Sequence, residues 1–414
     1  MNAICLVIDR LHVGYLGCYG SAWVGTPAVD RLAARSFVFD QVVIDSPSLD
    51  RLYRSYWRGV HAAAPEALTE PAPVLPDVLT TAGISTTLIT DEKTVAAHPL
   101  ARRFAESVQL SSGEVVEPCA EVHETQLAGF FTQLVDWLQT AREPFFLWAH
   151  SRGMGGPWDA PLALRNQYLE DDDPPASTSS EVPQRELEAN YDPDELRSLR
   201  CAYAGQVALM DRCLAALLED FVGSGLAERT LLVLLSPRGF PLGEHHRVGG
   251  QERLHAELVQ VPWLWRFPNG MGAAARSQCL IQPSTLAPTL VDWWGLAEKW
   301  PSGACASVLP VTRDERAATV DRACVLHPNG QRAIRTPAWY LVLPSAAALE
   351  RDRTRSSHLF AKPDDRWELN DVADRCSQVV EYLEAALVEF VAEHQTSLAP
   401  AFSPLAEMAI RPRR

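Results

Sequence analysis

"CLVIDRLHVGYLGCYGSAWVGTPAVDRLAARS" (residues 5–36) decides the fold. With Ile4 it opens as an apolar run that stays apolar on both faces of an extended chain, as in a central strand of a parallel sheet. The strand ends in Asp9, and a loop punctuated by Gly14, Gly17, Gly20 and Gly25 follows. Thr26 and Pro27 then supply a cap and a first-turn proline, which predicts a helix over 28–35. A buried strand, a glycine loop and a helix in that order open an α/β domain.

The pattern repeats outward from there. "FVFDQVVI" (37–44) reads as a strand, and "DSPSLDRLYRSYWRG" (45–59) starts like a helix N-terminus that Ser46 or Ser48 could cap. "VLPDVLTTAGISTTLITDE" (74–92) is helix, glycine stop, strand and acidic loop. "LAGFFTQLVDWLQTA" (127–141) is an amphipathic helix, and "PFFLWAH" (144–150) is a core strand. Residues 170–192 are acidic and rich in Pro and Ser, which points to a surface excursion, and a long helix is predicted over 194–222. "LLVLLSPRGFPLGEHHRVGG" (231–250) is a strand running into a glycine loop, "AELVQVPWLWRF" (256–267) a further strand, and "PSTLAPTLVDWWGL" (283–296) a helix. Beyond residue 310 short strands precede one long helix. The expected architecture is therefore a three-layer α/β sandwich around a large, mostly parallel sheet over 1–310. A small C-terminal α+β part over 311–414 adds a short antiparallel sheet and a long helix.

The chain has 414 residues, 47% of them hydrophobic, which is enough for a sizeable core. Its 37 Lys and Arg against 52 Asp and Glu give a net charge of −15, which argues against a nucleic-acid partner. Any anion site has to be local. Nine scattered cysteines without CxxC spacing favour free thiols in a reducing compartment. No run approaches the roughly 18 apolar residues that span a bilayer. The expectation is a cytoplasmic protein with no membrane partner.

Several segments together resemble the sulfatase family of the alkaline-phosphatase-like superfamily. They include residues 6–48, "PFFLWAHSRGMGGPWDAP" (144–161), residues 202–245, "VQVPWLWRF" (259–267) and "LFAKPDDRWELNDVAD" (359–374), in the family's order. The resemblance implies a divalent cation, usually calcium, held by two Asp after the first strand and by Asp with Asn or His after a later one. It also implies a Cys or Ser matured to formylglycine, with Lys and His side chains around the sulfate ester. Hard oxygen ligands, a strong nucleophile and oxyanion donors are what such chemistry requires.

Set against that pattern, the metal positions read Asp9, Arg10, Pro237 and Arg238, so Asp9 is the one remaining carboxylate ligand. Pro237 has no side-chain donor atom, and the Arg238 guanidinium has no lone pair to offer. Leu49 stands at the nucleophile, Tyr53 at its assisting arginine, Gly155 or Gly156 at a histidine, and Gly250 at a lysine. Ser48, Lys93 and His245 are the alternative catalytic candidates, and Arg10, Arg51 and Arg238 are candidate anion-binding residues. His245, His246 and His255 do not show convincing metal-ligand spacing on their own.

The expectation is thus a sulfatase-like pseudoenzyme without a cofactor, acting as a binding or structural protein, with a homo-oligomer, a protein partner or a small anion as its partner. An Arg238–Asp9 ion pair would put an arginine in the cation's place. Two alternatives stand beside it. One is a sulfuric ester hydrolase or phosphatase with a rearranged site, using Ca²⁺ or another divalent ion. The other is a binder of small anions or sulfated carbohydrates.

Overall fold

The computed structural model describes the chain except residues 71, 112, 114, 251–252, 302–304, 314–319, 352–356, 399 and 412–414, and the side chains of 348 and 351. Two compact units emerge. The first comprises Met1–Asp40, Leu79–Gly250 and Val261–Arg276; the second comprises Gln41–Val78, Gln251–Gln260 and Ser277–Arg414.

The strands are β1 (Asn2–Ile8), β2 (Phe37–Val43), β3 (Ser85–Thr90), β4 (Glu106–Gln109), β5 (Phe145–Ser151), β6 (Arg185–Glu186), β7 (Thr230–Leu235), β8 (Arg247–Val248), β9 (Gln260–Arg266) and β10 (Arg276–Ile281). They are followed by β11 (Ala323–Leu326), β12 (Arg332–Arg335), β13 (Trp339–Leu343) and β14 (His358–Ala361). The large sheet runs β10-β2-β9-β7-β1-β5-β3-β4. Its β7-β1-β5-β3-β4 stretch is parallel, and β9 joins β7 antiparallel. Every residue of β1, β5 and β7 is buried, which is why their sequences are apolar on both faces. Each large apolar side chain so buried contributes about 1.5–3 kcal/mol.

β1 sits between β5 and β7, with Ile4 opposite Leu147 and Leu232. The chain leaves β1 toward β2 on one side and later returns to β3 on the other. Such a reversal opens a crevice at the carboxyl ends of the strands, where α/β sheets hold their ligands. Asp9, Asp91, Arg152 and Arg238 all follow strand ends there.

The helix Pro193–Gly223 begins as its sequence dictates: the Asp192 side chain accepts from the Asp194 amide, and Pro193 occupies the first turn. One window of this helix is long and apolar enough to cross a membrane, but 78% of it is buried in the fold. Its apolar character therefore serves the core. In the second unit, β11-β12-β13-β14 form an antiparallel sheet that shares a core with the helix Ser377–His394 through Leu341, Leu359, Leu383 and Leu387. The large, mostly parallel sheet with flanking helices and the smaller antiparallel sheet with its long helix agree with the expected fold class.

One local expectation needs correction, and two details refine others. Residues 256–267 are not one strand: the His255 carbonyl accepts from the Leu258 and Val259 amides and closes the helical turn Ala256–Val259 before β9 begins. The Pro/Ser-rich excursion contains β6, which pairs with β8. On the helix Leu49–Arg58, Tyr53, Tyr56 and Trp57 are fully buried, with Tyr53 edge-on to Trp57 at 4.5 Å.

Candidate active site

The crevice at the end of β1 is built around Asp9. Its amide donates to the Ser151 carbonyl (3.0 Å), and its carbonyl accepts from the Met154 amide (3.0 Å), so β5 fixes its backbone. That approach requires Gly153, where a Cβ would lie 2.7 Å from the Asp9 carbonyl oxygen. Gly155 has a matching role, because a Cβ there would lie 2.9 Å from Arg10 Cδ. The glycine at this stretch makes room for an arginine.

Arg238 follows β7 and turns back onto Asp9. Its Nε donates to Asp9 Oδ1 at 3.0 Å and its Nη2 to Oδ2 at 2.8 Å. The two side chains are 8% and 1% exposed, so the pair is deeply buried. Burial alone would raise the Asp9 carboxyl; the charge and hydrogen bonds of Arg238 outweigh it and hold the group below its ordinary range.

These residues do not fit the family's cation. The Arg238 guanidinium covers both Asp9 oxygens, Arg10 adds a second positive charge, and Pro237 offers no donor.

Arg10 is 9% exposed and adopts φ 60°, a left-handed conformation rare outside glycine. Tyr203 secures that turn: its hydroxyl donates to the Arg10 carbonyl (2.8 Å) and accepts from the His12 amide (2.9 Å). The guanidinium lies 5.7 Å from the centre of the Phe240 ring. Burial first, and then Arg238, push its pKa down to about 10. Around the rim, Asp91 accepts from the Arg152 amide and the Ser151 hydroxyl, and burial raises it to about 6. His150, fully buried, is pushed down to about 4 by burial and is neutral at pH 7. Glu92 lies 3.7 Å from Arg152 Nε.

The other candidates fall elsewhere. Lys93 is exposed at the start of the helix Lys93–Ala96. Gly250 adopts φ 78°. In the second unit, Leu49 is buried at the first position of its helix, and Arg51 is half-buried on it. Ser48 precedes that helix without a side-chain capping bond, and Ser46 Oγ instead accepts from the Ser48 amide at 3.4 Å.

Sequence spacing missed Glu368. Its Oε2 lies 2.8 Å from His255 Nδ1, and its Oε1 lies 3.0 Å from Lys362 Nζ. Burial would raise this carboxyl, but His255 and Lys362 hold it below its ordinary range. Within the second unit His255 and Glu368 together offer imidazole and carboxylate donors of the kind that can hold a divalent ion. His255 looked unconvincing as a ligand because its carboxylate partner stands 113 residues beyond it.

The sulfatase family model matches residues 1–296. The chain belongs to the sulfatase family. It is 25% identical to human iduronate 2-sulfatase over 313 residues, which is 59% of this chain and 56% of that protein. The chain thus spans little more than half the length of that relative. Two solved structures share its fold. A chain in complex with its substrate, D-glucosamine-2-N,6-O-disulfate, superposes with a TM-score of 0.74 at 16% identity, covering 95% of this chain and 98% of that one. The phosphonate monoester hydrolase of Agrobacterium radiobacter superposes with a TM-score of 0.75 at 17% identity, covering 100% and 99%.

The expectation of a pseudoenzyme without catalysis or cofactor is overturned for this sulfatase-family chain. It shares the fold of a chain solved with its substrate, and His255 and Glu368 supply donors of the kind that hold a divalent ion. The departures from the family pattern read at positions 10, 49, 237 and 238 were an incomplete guide, because His255 and Glu368 are distant in sequence and meet only in the fold.

Proposed function

We propose that the protein hydrolyses sulfuric esters through a site rearranged from the family pattern, with phosphate esters as the second substrate class. The observation that carries this reading is the buried His255–Glu368 pair within a sulfatase-family chain. A divalent ion held by these residues would supply positive charge to polarise the ester and to acidify a water molecule.

The chain's own residues have separable tasks. Glu368 accepts from His255 Nδ1, which fixes the ring's orientation. Lys362 anchors the carboxylate from its other oxygen. Arg10 and Arg238 provide fixed positive charge for an oxyanion. Asp91, raised to about 6 by burial, can hold or release a proton near neutral pH. Because position 49 is leucine, water supplies the oxygen: a bond forms from the water oxygen to sulfur as that water gives up a proton, the sulfur–oxygen ester bond breaks, and the leaving oxygen takes up a proton, giving an alcohol and sulfate.

Sulfated sugars are the first substrates to examine, given the disulfated glucosamine bound by the structural relative. Aryl sulfate, aryl phosphate and sulfated glucosamine turnover should be measured with added Ca²⁺, Mg²⁺, Mn²⁺ or Zn²⁺. Metal-stimulated turnover that falls in a folded Glu368→Gln variant supports the reading. A folded wild-type protein inert toward every ester and ion overturns it.

A further inference from the structure

Charge within the first unit's crevice does not close on itself. Asp9 is matched by Arg238, and Glu92 faces Arg152. Asp91 is held by an amide and a hydroxyl, with burial favouring its neutral form. Arg10 is left over. It is more than nine-tenths buried, and among the described residues no oxygen accepts a hydrogen bond from its guanidinium. Its closest aromatic neighbour, Phe240, offers a ring at 5.7 Å rather than an acceptor.

A guanidinium this buried and without an acceptor gives up much of its water, and Asp9 and Glu92 offset that only through space. The protein nonetheless builds around it. Tyr203 pins the left-handed turn at Arg10, and Gly155 leaves space against its Cδ. Strained residues held this firmly gather where ligands bind. The planar fork of an arginine matches two oxygens of a tetrahedral oxyanion.

We infer that Arg10 is the anchor of an oxyanion site that needs no metal, taking the sulfate or phosphate group of an ester, or the free inorganic anion, beside the Asp9–Arg238 pair. Arg238 acts here as a positioning residue: it neutralises Asp9, so that the carboxylate does not repel the incoming anion. The inference rests on the hydrolase reading for its biological role, but not for its test.

The test is anion-dependent thermal unfolding of the full chain in EDTA, with sodium sulfate or phosphate compared with sodium chloride at equal ionic strength. Sulfate is expected to raise the Tm saturably in the wild type. Arg10→Gly, suited to the left-handed turn, is expected to be at least as stable as wild type without anion and to lose the sulfate response. Arg10→Lys should bind sulfate about tenfold more weakly, since a point charge replaces the fork. A wild type blind to sulfate, or a response unchanged in Arg10→Gly, overturns the inference. Inorganic anion and a sulfated sugar are run as separate arms; a stronger response to the sugar assigns the site to the ester, and an equal one to the free anion. Turnover measured alongside separates the two claims: sulfate binding without any ester hydrolysis would sink the proposed function alone, and hydrolysis without this binding would sink the inference alone.

Discussion

Arg238 grips Asp9 through two nitrogens, at 3.0 and 2.8 Å, across 229 residues of sequence. The pair joins the loops after β7 and β1, and it fixes the charge at the centre of the crevice.

Arg238→Ala should destabilise the protein by about 3–5 kcal/mol, because Asp9 would be left as an uncompensated buried charge. Urea denaturation checks the value. Adding Asp9→Asn to Arg238→Ala should restore part of the loss, since the stranded charge is removed. An additive double variant would mean that the two side chains are not coupled.

Tyr203→Phe should cost about 1–3 kcal/mol, because one buried carbonyl and one buried amide lose their partner together. The same variant should weaken sulfate protection, as the turn at Arg10 loosens. Denaturation and anion titration of one sample read both effects. An intact anion response would show that Tyr203 serves the core only.

Asp45 gives a pH signature. It accepts from Ser55 Oγ and the Ala62 amide, and burial raises it from 3.8 to about 6. Between about pH 4 and 6 the folded state therefore holds a proton that the unfolded chain has released. Asp45 costs stability as pH rises through that window, and the full cost remains above it. Asp45→Asn should consequently gain relative to wild type at pH 7 compared with pH 4.5. Urea midpoints at the two pH values check the sign. His61, lowered by burial from 6.5 to about 4, works oppositely: stability is lost as pH falls through the same range.

Much of this architecture can be read from the chain, because buried parallel strands declare themselves. β1, β5 and β7 are apolar on both faces, and Asp192–Pro193 announces the long helix. What stayed hidden was tertiary. The aromatic face of Leu49–Arg58 carries arginines between its rings, so it resembles a solvated face until packing shows Tyr53, Tyr56 and Trp57 inside. Glu368 sits in the unremarkable stretch "DDRWELND", and only folding brings it to His255. The pairing of Arg238 with Asp9 follows from two strands being neighbours, and the room for Arg10 follows from two glycines on a third.

Glu368→Gln should lower stability by about 1.5–3 kcal/mol, as charge-assisted bonds to His255 and Lys362 weaken. The variant should remain folded, which makes it the informative partner for kinetics.

The most direct measurement is ester turnover by the purified wild type and Glu368→Gln across aryl sulfate, sulfated glucosamine, aryl phosphate and phosphonate esters, with each of Ca²⁺, Mg²⁺, Mn²⁺ and Zn²⁺. Hydrolysis of a sulfuric ester, stimulated by one of these ions and reduced about 10–100-fold in folded Glu368→Gln, is the expected result. A folded wild type that turns over none of these esters with any ion would contradict the assignment of this chain as a hydrolase.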